Sequence, residues 1–305
     1  MNTTPSSKRL IVVGGPTASG KTSLGIQIAQ RFKTEILSAD SRQFYKELNI
    51  GVAKPSEDEL KAVPHHFIGH KSIHDYYSAG EFERNALDKL NTLFQVHDNV
   101  VMVGGSGLFI NAVLHGFHEV PKDDGAIRQE IAGLFKTGGI EALVSRLEEI
   151  DPDHVLRIDK SNSQRLIRAI ERVQITRKTH SAQTNPKRAE RPFTVIEIAI
   201  DHPRQELYNR INQRVDLMMD SGLLKEIESL LPFKYLNALQ TVGYSELFKH
   251  LDGEISLEEA VALIKQNSRR YAKRQITWFK NKSETVWFKS DALSKVIDSI
   301  EANSQ

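Results

Sequence analysis

Four consecutive apolar residues at positions 10–13 (Leu-Ile-Val-Val) follow a basic pair and precede glycines, the pattern of a strand buried on both faces. Apolar positions then change period. Leu24, Ile28 and Ala29 recur at helical spacing across residues 22–32, and residues 35–39 form a second short apolar run. Between about 78 and 94, Phe82, Ala86, Leu90 and Phe94 stand four apart, one stripe of a helix, before a third apolar run at 100–103. Strand, helix and strand at this spacing predict a parallel sheet of the α/β class.

From 123 to about 183 the strand patterning stops and helical patterning takes over, as in EALVSRLEEI and QRLIRAIERV. This predicts a mostly helical insertion at 119–191, closed by the polar stretch HSAQTNPKRAERP at 180–192. Residues 193–200 (FTVIEIAI) read as one more strand, after which helices at 204–219, 221–230, 256–280 and 291–301 run to the end. The expected division is a core of 1–118 with 192–305 and an insertion domain of 119–191.

The turn between the first strand and first helix carries chemistry. Gly15, Pro16, Thr17, Ala18, Ser19, Gly20, Lys21 and Thr22 fit G-x-x-x-x-G-K-[ST] in the strand–loop–helix context that this motif requires. Glycines let backbone N–H groups turn onto an anion, the helix N-terminus adds its dipole, Lys21 adds a point charge, and the Thr22 hydroxyl suits Mg²⁺. The expected fold is therefore α/β, a P-loop NTPase-like parallel sheet core with a mostly helical insertion domain. The loop specifies a polyphosphate with a metal; a nucleoside triphosphate and a diphosphate leaving group both satisfy it.

Other groups belong near that cradle. Asp40 ends the second strand, on the side where ligands lie in a parallel sheet, and can serve as base, metal ligand or helix cap. The run 100–103 is followed by Gly104-Gly105-Ser106-Gly107 and no acid, which disfavours a motor or switch NTPase and leaves small-molecule kinases and other group-transfer enzymes. Arg210 and Arg214, four apart on one predicted helix, could clamp a diphosphate or form a solvated face. His65, His66, His70 and His74 are interrupted by Gly69 and lack a zinc-site spacing, so no metal is expected there.

Charge distribution adds a partner. The whole chain carries +2, yet residues 265–282 hold Lys265, Arg269, Arg270, Lys273, Arg274, Lys280 and Lys282 with no acid, interleaved with Tyr271, Trp278 and Phe279. In the insertion, Arg165, Arg168 and Arg172 share a helix face. Two basic stripes beside a phosphate loop point to a nucleic-acid substrate. No apolar run approaches a membrane span, the N-terminus has no apolar leader, and cysteine is absent, so a cytoplasmic protein with no membrane partner is expected.

Taken together, GPTASGKT (15–22), ADSRQFY (39–45), NIGVAKP (49–55), PHH (64–66), YSAGEF (77–82), VGGSGLF (103–109), QRLIRAIE (164–171), RINQRVDLMM (210–219), QTVGYSE (240–246) and YAKRQITWFK (271–280) resemble one family. It is the tRNA dimethylallyltransferases, or tRNA isopentenyltransferases, and the blocks keep the family's order over nearly the whole chain. The resemblance implies transfer of a dimethylallyl group from dimethylallyl diphosphate to N6 of adenosine 37 in the tRNA anticodon stem-loop, with Mg²⁺ as cofactor and a monomeric enzyme. It assigns catalysis to Asp40, Thr22, Lys21, Arg210 and Arg214, and the diphosphate and Mg²⁺ to the phosphate loop. It assigns tRNA contact to Asp40, Ser41, Arg42, Gln43, Ser106, Arg128, Gln164, Arg165, Leu166, Ile167, Arg168, Gln240, Gly243, Tyr244, Arg270, Lys273, Arg274 and Gln275. Val52 stands where the family usually has threonine, and Arg177 where glycine is frequent. A P-loop kinase using ATP and a non-catalytic RNA-binding protein are the rival readings; the first leaves the stripes without a task, the second leaves Asp40, Lys21 and Thr22 without one.

Overall fold

The computed structural model describes residues 8–116, 125–180, 189–282, 284–289 and 292–302. The first seven residues, on which the expectation of no leader rests, and 181–188 of the predicted polar stretch lie outside them. In chain order the elements are β1 (Arg9–Gly14), α1 (Lys21–Arg31), β2 (Ile36–Ser38), α2 (Glu57–Ala62), β3 (His65–His66), α3 (Ala79–Leu93), β4 (Asn99–Val103) and α4 (Gly107–His115). Then come α5 (Ala126–Ile150), α6 (Pro152–Val155), α7 (Ser163–Thr176), β5 (Thr194–Asp201), α8 (Arg204–Asp220), α9 (Leu223–Leu230), α10 (Tyr244–Leu251), α11 (Leu257–Lys280), β6 (Val286–Lys289) and α12 (Leu293–Ala302). The chain divides into two compact units, Met1–Phe117 with Glu190–Gln305, and His118–Ala189.

The first unit is built on a six-stranded parallel sheet in the order β3-β2-β4-β1-β5-β6. Alternation along the strands sends neighbours to opposite faces. Leu10, Val12, Leu37, Val100 and Met102 join the α3 stripe Phe82, Ala86 and Leu90 with Ile110 and Val113 of α4. Ile11, Val13, Ile36, Val101 and Val103 pack on the other face with Ile26, Ile28 and Ala29 of α1 and with Val296 and Ile300 of α12. Both faces are covered, which is why the strands read as unbroken apolar runs. A third core gathers Val215, Leu223, Ile227, Tyr244, Leu247, Phe248, Ala260 and Ile264 from α8 to α11.

One expectation is corrected. The chain after residue 201 is not helical to its end: β6 pairs in parallel with β5, from Ile198 opposite Val286 to Asp201 opposite Lys289. Its four residues carry no strict alternation, with Val286 exposed and Trp287 half-buried, so only its hydrogen-bonded neighbour identifies it as an edge strand. Nor did periodicity announce α2, which buries no residue, although its Ser56 and Glu59 form a complete capping box.

The second unit packs α5 against α7 around Ile131, Leu143, Leu147, Val155, Leu166, Ala169 and Ile170. Gly139, at φ 64° and ψ −153°, breaks the helical path inside α5. Arg177 closes α7 in the left-handed region at φ 55°, the conformation that a glycine would adopt more cheaply. No helix among the described residues is long and apolar enough to cross a membrane.

Candidate active site

β1 delivers the phosphate loop and α1 begins behind it. Gly20 caps α1 at φ 88° and ψ 12°, a left-handed turn open to glycine. The loop's carbonyls are tied down by side chains. The Lys21 ammonium donates to the Pro16 carbonyl at 3.1 Å, Arg210 Nε to that of Ala18 at 2.8 Å, and His202 Nε2 meets that of Ser19 at 2.9 Å. Arg214 Nη1 reaches the Thr17 hydroxyl at 3.4 Å. The first N–H groups of α1 have no acceptor within the helix and are left for an anion.

Thr17, Ala18, Gly20 and Lys21 of this loop line a cavity of about 610 Å³. Lys21, Thr22, Asp40, Arg210 and Arg214 all face it, so the structure brings the five predicted catalytic residues together. Its remaining wall mixes polar groups such as Gln43, His65 and Thr241 with apolar ones, including Val52, Ile68, Val215, Leu217, Met218 and Leu223. Burial, helped by the neighbouring Arg214, lowers the Lys21 pKa to about 8, while Asp40 works against that fall. Burial also lowers that of Arg214, with Asp40 again opposing. Asp40 itself keeps both readings left open by its sequence position. Its Oδ1 accepts the Arg42 N–H at 3.0 Å in a local turn, while the carboxylate still faces the cavity.

The glycine turn after β4 closes the site from behind. A Cβ on Gly104 would lie 2.3 Å from the Ala39 carbonyl oxygen, so only glycine allows this approach to β2. Ser106 Oγ accepts the Ser41 N–H at 3.0 Å and thereby holds the residue after Asp40. Tyr271 lines the same cavity, and burial, with Asp40 nearby, raises its phenol to about 12.

Several residues predicted to touch tRNA make contacts within the protein. Gln275, 6% exposed, accepts the Thr17 N–H at 2.9 Å and donates to the Gly105 carbonyl at 3.0 Å, strapping the phosphate loop to the glycine turn. Arg42 donates to the carbonyls of Asn237, Ala238 and Gln240, and Gln43 to those of Val52 and Ala53. Gly243 is buried with its N–H on Glu246, and Tyr244 is fully buried with its hydroxyl on Glu226. In the second unit, Leu166 belongs to the core, Ile167 packs partly against it, and Arg128 pairs with Glu171, whereas Gln164, Arg165 and Arg168 are exposed. Gln240 is exposed as well.

The C-terminal stripe divides. Lys265 pairs with Asp216, Arg269 with the Asn212 side chain and Lys282 with Glu197, while Phe279 is core and Trp278 packs partly against it. Arg270, Lys273 and Arg274 remain exposed on α11. His65 and His66 lie on β3, His66 against Glu35, and no group of three or more metal-ligating side chains is arranged for a metal among the described residues. Sequence reasoning missed His202, whose position just past β5 becomes informative only once β5 is known to neighbour β1.

A family model described as IPP transferase matches residues 43–282. The chain belongs to the IPP transferase family. Relatives include a tRNA dimethylallyltransferase of Christiangramia forsetii, 50% identical over 97% of this chain and 98% of that one. Another, of Flavobacterium johnsoniae, is 48% identical over 92% and 93%. Among solved structures, a full-length tRNA isopentenylpyrophosphate transferase from Bacillus halodurans superposes with a TM-score of 0.71 at 34% identity, covering 97% of this chain and 96% of that one. A eukaryotic dimethylallyltransferase, captured acting on tRNA, shares the fold with a TM-score of 0.79 at 23% identity, over 97% and 77% of the two chains. Val52, where the resemblance leads to an expectation of threonine, lies on the cavity wall.

Proposed function

We propose that this chain is a tRNA dimethylallyltransferase, moving the dimethylallyl group of dimethylallyl diphosphate onto N6 of the adenosine at tRNA position 37, next to the anticodon. The observation that carries the reading is one cavity lined both by a phosphate loop with Lys21, Arg210 and Arg214 and by Asp40, with apolar side chains in the rest of its wall. That pairing suits a reaction that must stabilise a departing diphosphate and accept a proton at once.

Adenine N6 is a weak nucleophile because its lone pair is delocalised into the ring. In the transfer, the allylic C–O bond breaks and its electrons leave on diphosphate, the new bond forms from N6 to carbon, and the displaced N6 proton passes to Asp40. Lys21, the two arginines and the N-terminus of α1 neutralise the charge that develops on the leaving oxygen. Apolar residues of the wall suit the hydrocarbon tail and exclude water from an allylic cation. The adenine reaches the cavity by leaving its stack, a cost of a few kcal/mol that is lowest in a loop. Exposed Arg270, Lys273 and Arg274 suit the tRNA backbone.

Mg²⁺ fits this donor set. The Thr22 hydroxyl faces the cavity with no protein hydrogen-bond partner among the described residues, and such an ion is commonly held by one or two protein groups plus substrate phosphates and water. When bound, it would neutralise diphosphate charge.

The test is incubation with dimethylallyl diphosphate, ATP and unmodified tRNA, followed by digestion and mass analysis of the nucleosides. A dimethylallyl adenosine from the position beside the anticodon is expected. ATP consumption with unmodified RNA would favour the kinase reading, and RNA binding with neither product a non-catalytic protein.

A further inference from the structure

His202 follows β5 directly, and β5 lies beside β1 with Ala199 opposite Gly14. That register sets the imidazole against the phosphate loop, although His202 is outside the motif and does not line the cavity. Its side chain is only 1% exposed. Nε2 stands 2.9 Å from the Ser19 carbonyl, which can only accept, so Nε2 carries a proton. Nδ1 stands 3.0 Å from Oε1 of Glu206 in the first turn of α8; a carboxylate only accepts, so in this hydrogen bond Nδ1 also carries a proton. The ring is thus held at both nitrogens, and its orientation is set by the fold.

The Ser19 carbonyl belongs to the same peptide plane as the Gly20 N–H, and in a trans peptide the two point in opposite directions. A hydrogen bond that draws Ser19 O toward His202 therefore aims Gly20 N–H the other way. Gly20 lines the cavity and its N–H has no protein acceptor among the described residues. We propose that His202, steadied by Glu206, is a positioning residue that locks the Ser19–Gly20 peptide so that Gly20 N–H is aimed at the donor's diphosphate. This rests on the reading of the loop as the donor cradle.

The experiment uses the full-length protein, with inorganic pyrophosphate as the binding probe and dimethylallyl diphosphate with tRNA for steady-state kinetics. Gln and Asn are both neutral amides. Gln places its amide nitrogen where Nε2 was and can reach the Ser19 carbonyl, whereas Asn mimics Nδ1 and falls short. His202→Asn should weaken pyrophosphate binding and raise the donor KM about tenfold, the worth of one net hydrogen bond, with kcat and tRNA affinity within about twofold of the parent. His202→Gln should recover to within about threefold. Glu206→Ala, at a half-exposed position, should fall between them by freeing the ring.

Parental pyrophosphate affinity in His202→Asn, or equal losses in the Asn and Gln variants, would overturn the proposal and make the contact a packing detail. Lys21→Ala separates the two levels of inference. If it too leaves pyrophosphate binding unchanged, the loop reading has failed; if it abolishes binding while His202→Asn does not, the role of His202 alone has failed.

Discussion

Asp40 uses one carboxylate for two purposes, and the two can be separated by substitution. Through Oδ1 it closes a turn onto the Arg42 N–H, and it also faces the cavity. Asp40→Asn preserves the turn acceptor but removes the base. Both Asp40→Asn and Asp40→Ala should therefore lower kcat by ~10²- to 10⁴-fold, with tRNA affinity nearly unchanged in the Asn variant. Filter binding beside single-turnover kinetics checks this, and parallel loss of affinity and rate in the Asn variant would make Asp40 a capping residue. Lys21 predicts a pH dependence. With its pKa lowered to about 8, it is charged below that pH and neutral above, so donor affinity in the free enzyme should fall as pH rises through about 8. A kcat/KM profile for the donor should show this inflection, and Lys21→Arg should shift it out of range. For stability the sign is opposite: the fold disfavours the charged form, so the penalty is full below about 8 and fades as pH approaches the ordinary lysine value.

At the scale of the element, α11 shows how one basic stripe divides by helix face. Ala260, Ile264, Ala272 and Phe279 are buried, Gln275 straps the phosphate loop, and Lys265 and Arg269 are tied to α8. Arg270, Lys273 and Arg274 are left at the surface. Counterion release scales with phosphate contacts, at ~0.7 per contact in single-stranded regions. Arg270→Ala/Arg274→Ala should weaken tRNA binding and flatten its salt slope by roughly one unit per lost contact, whereas Arg269→Ala should leave that slope unchanged. Binding isotherms at several salt concentrations decide it; an unaltered slope in the double variant would make the surface cations a solvated face.

At the scale of the molecule, every residue lining the cavity lies in the unit that holds the sheet, while the second unit has a core of its own. Leu147 is fully buried in that second core, and its truncation should cost ~2–5 kcal/mol there. Leu147→Ala should therefore produce an early thermal transition by circular dichroism while pyrophosphate binding, measured below that transition, remains at the parental level. Loss of pyrophosphate binding in step with that transition would show that the donor site depends on the second unit.

Local patterning carried much of this. The apolar runs, the helix stripe from Phe82 to Phe94 and the phosphate loop all depend on neighbours within a few positions, so the parallel α/β core and the family were legible before any coordinates. Short elements were not: β3 and β6 are too brief to show a period and exist because β2 and β5 offer hydrogen-bonding edges. The same limit governed side chains. Gln275 and the exposed arginines look alike along the chain, and a rotation of 100° per residue around α11 puts one under the phosphate loop and the others in solvent. Tyr244 and Leu166 lay in motifs that resemble functional blocks, yet the hydrophobic effect gave them to the cores. His202 carries no motif at all; its meaning comes from strand order, which sets residues some 180 positions apart within hydrogen-bonding distance.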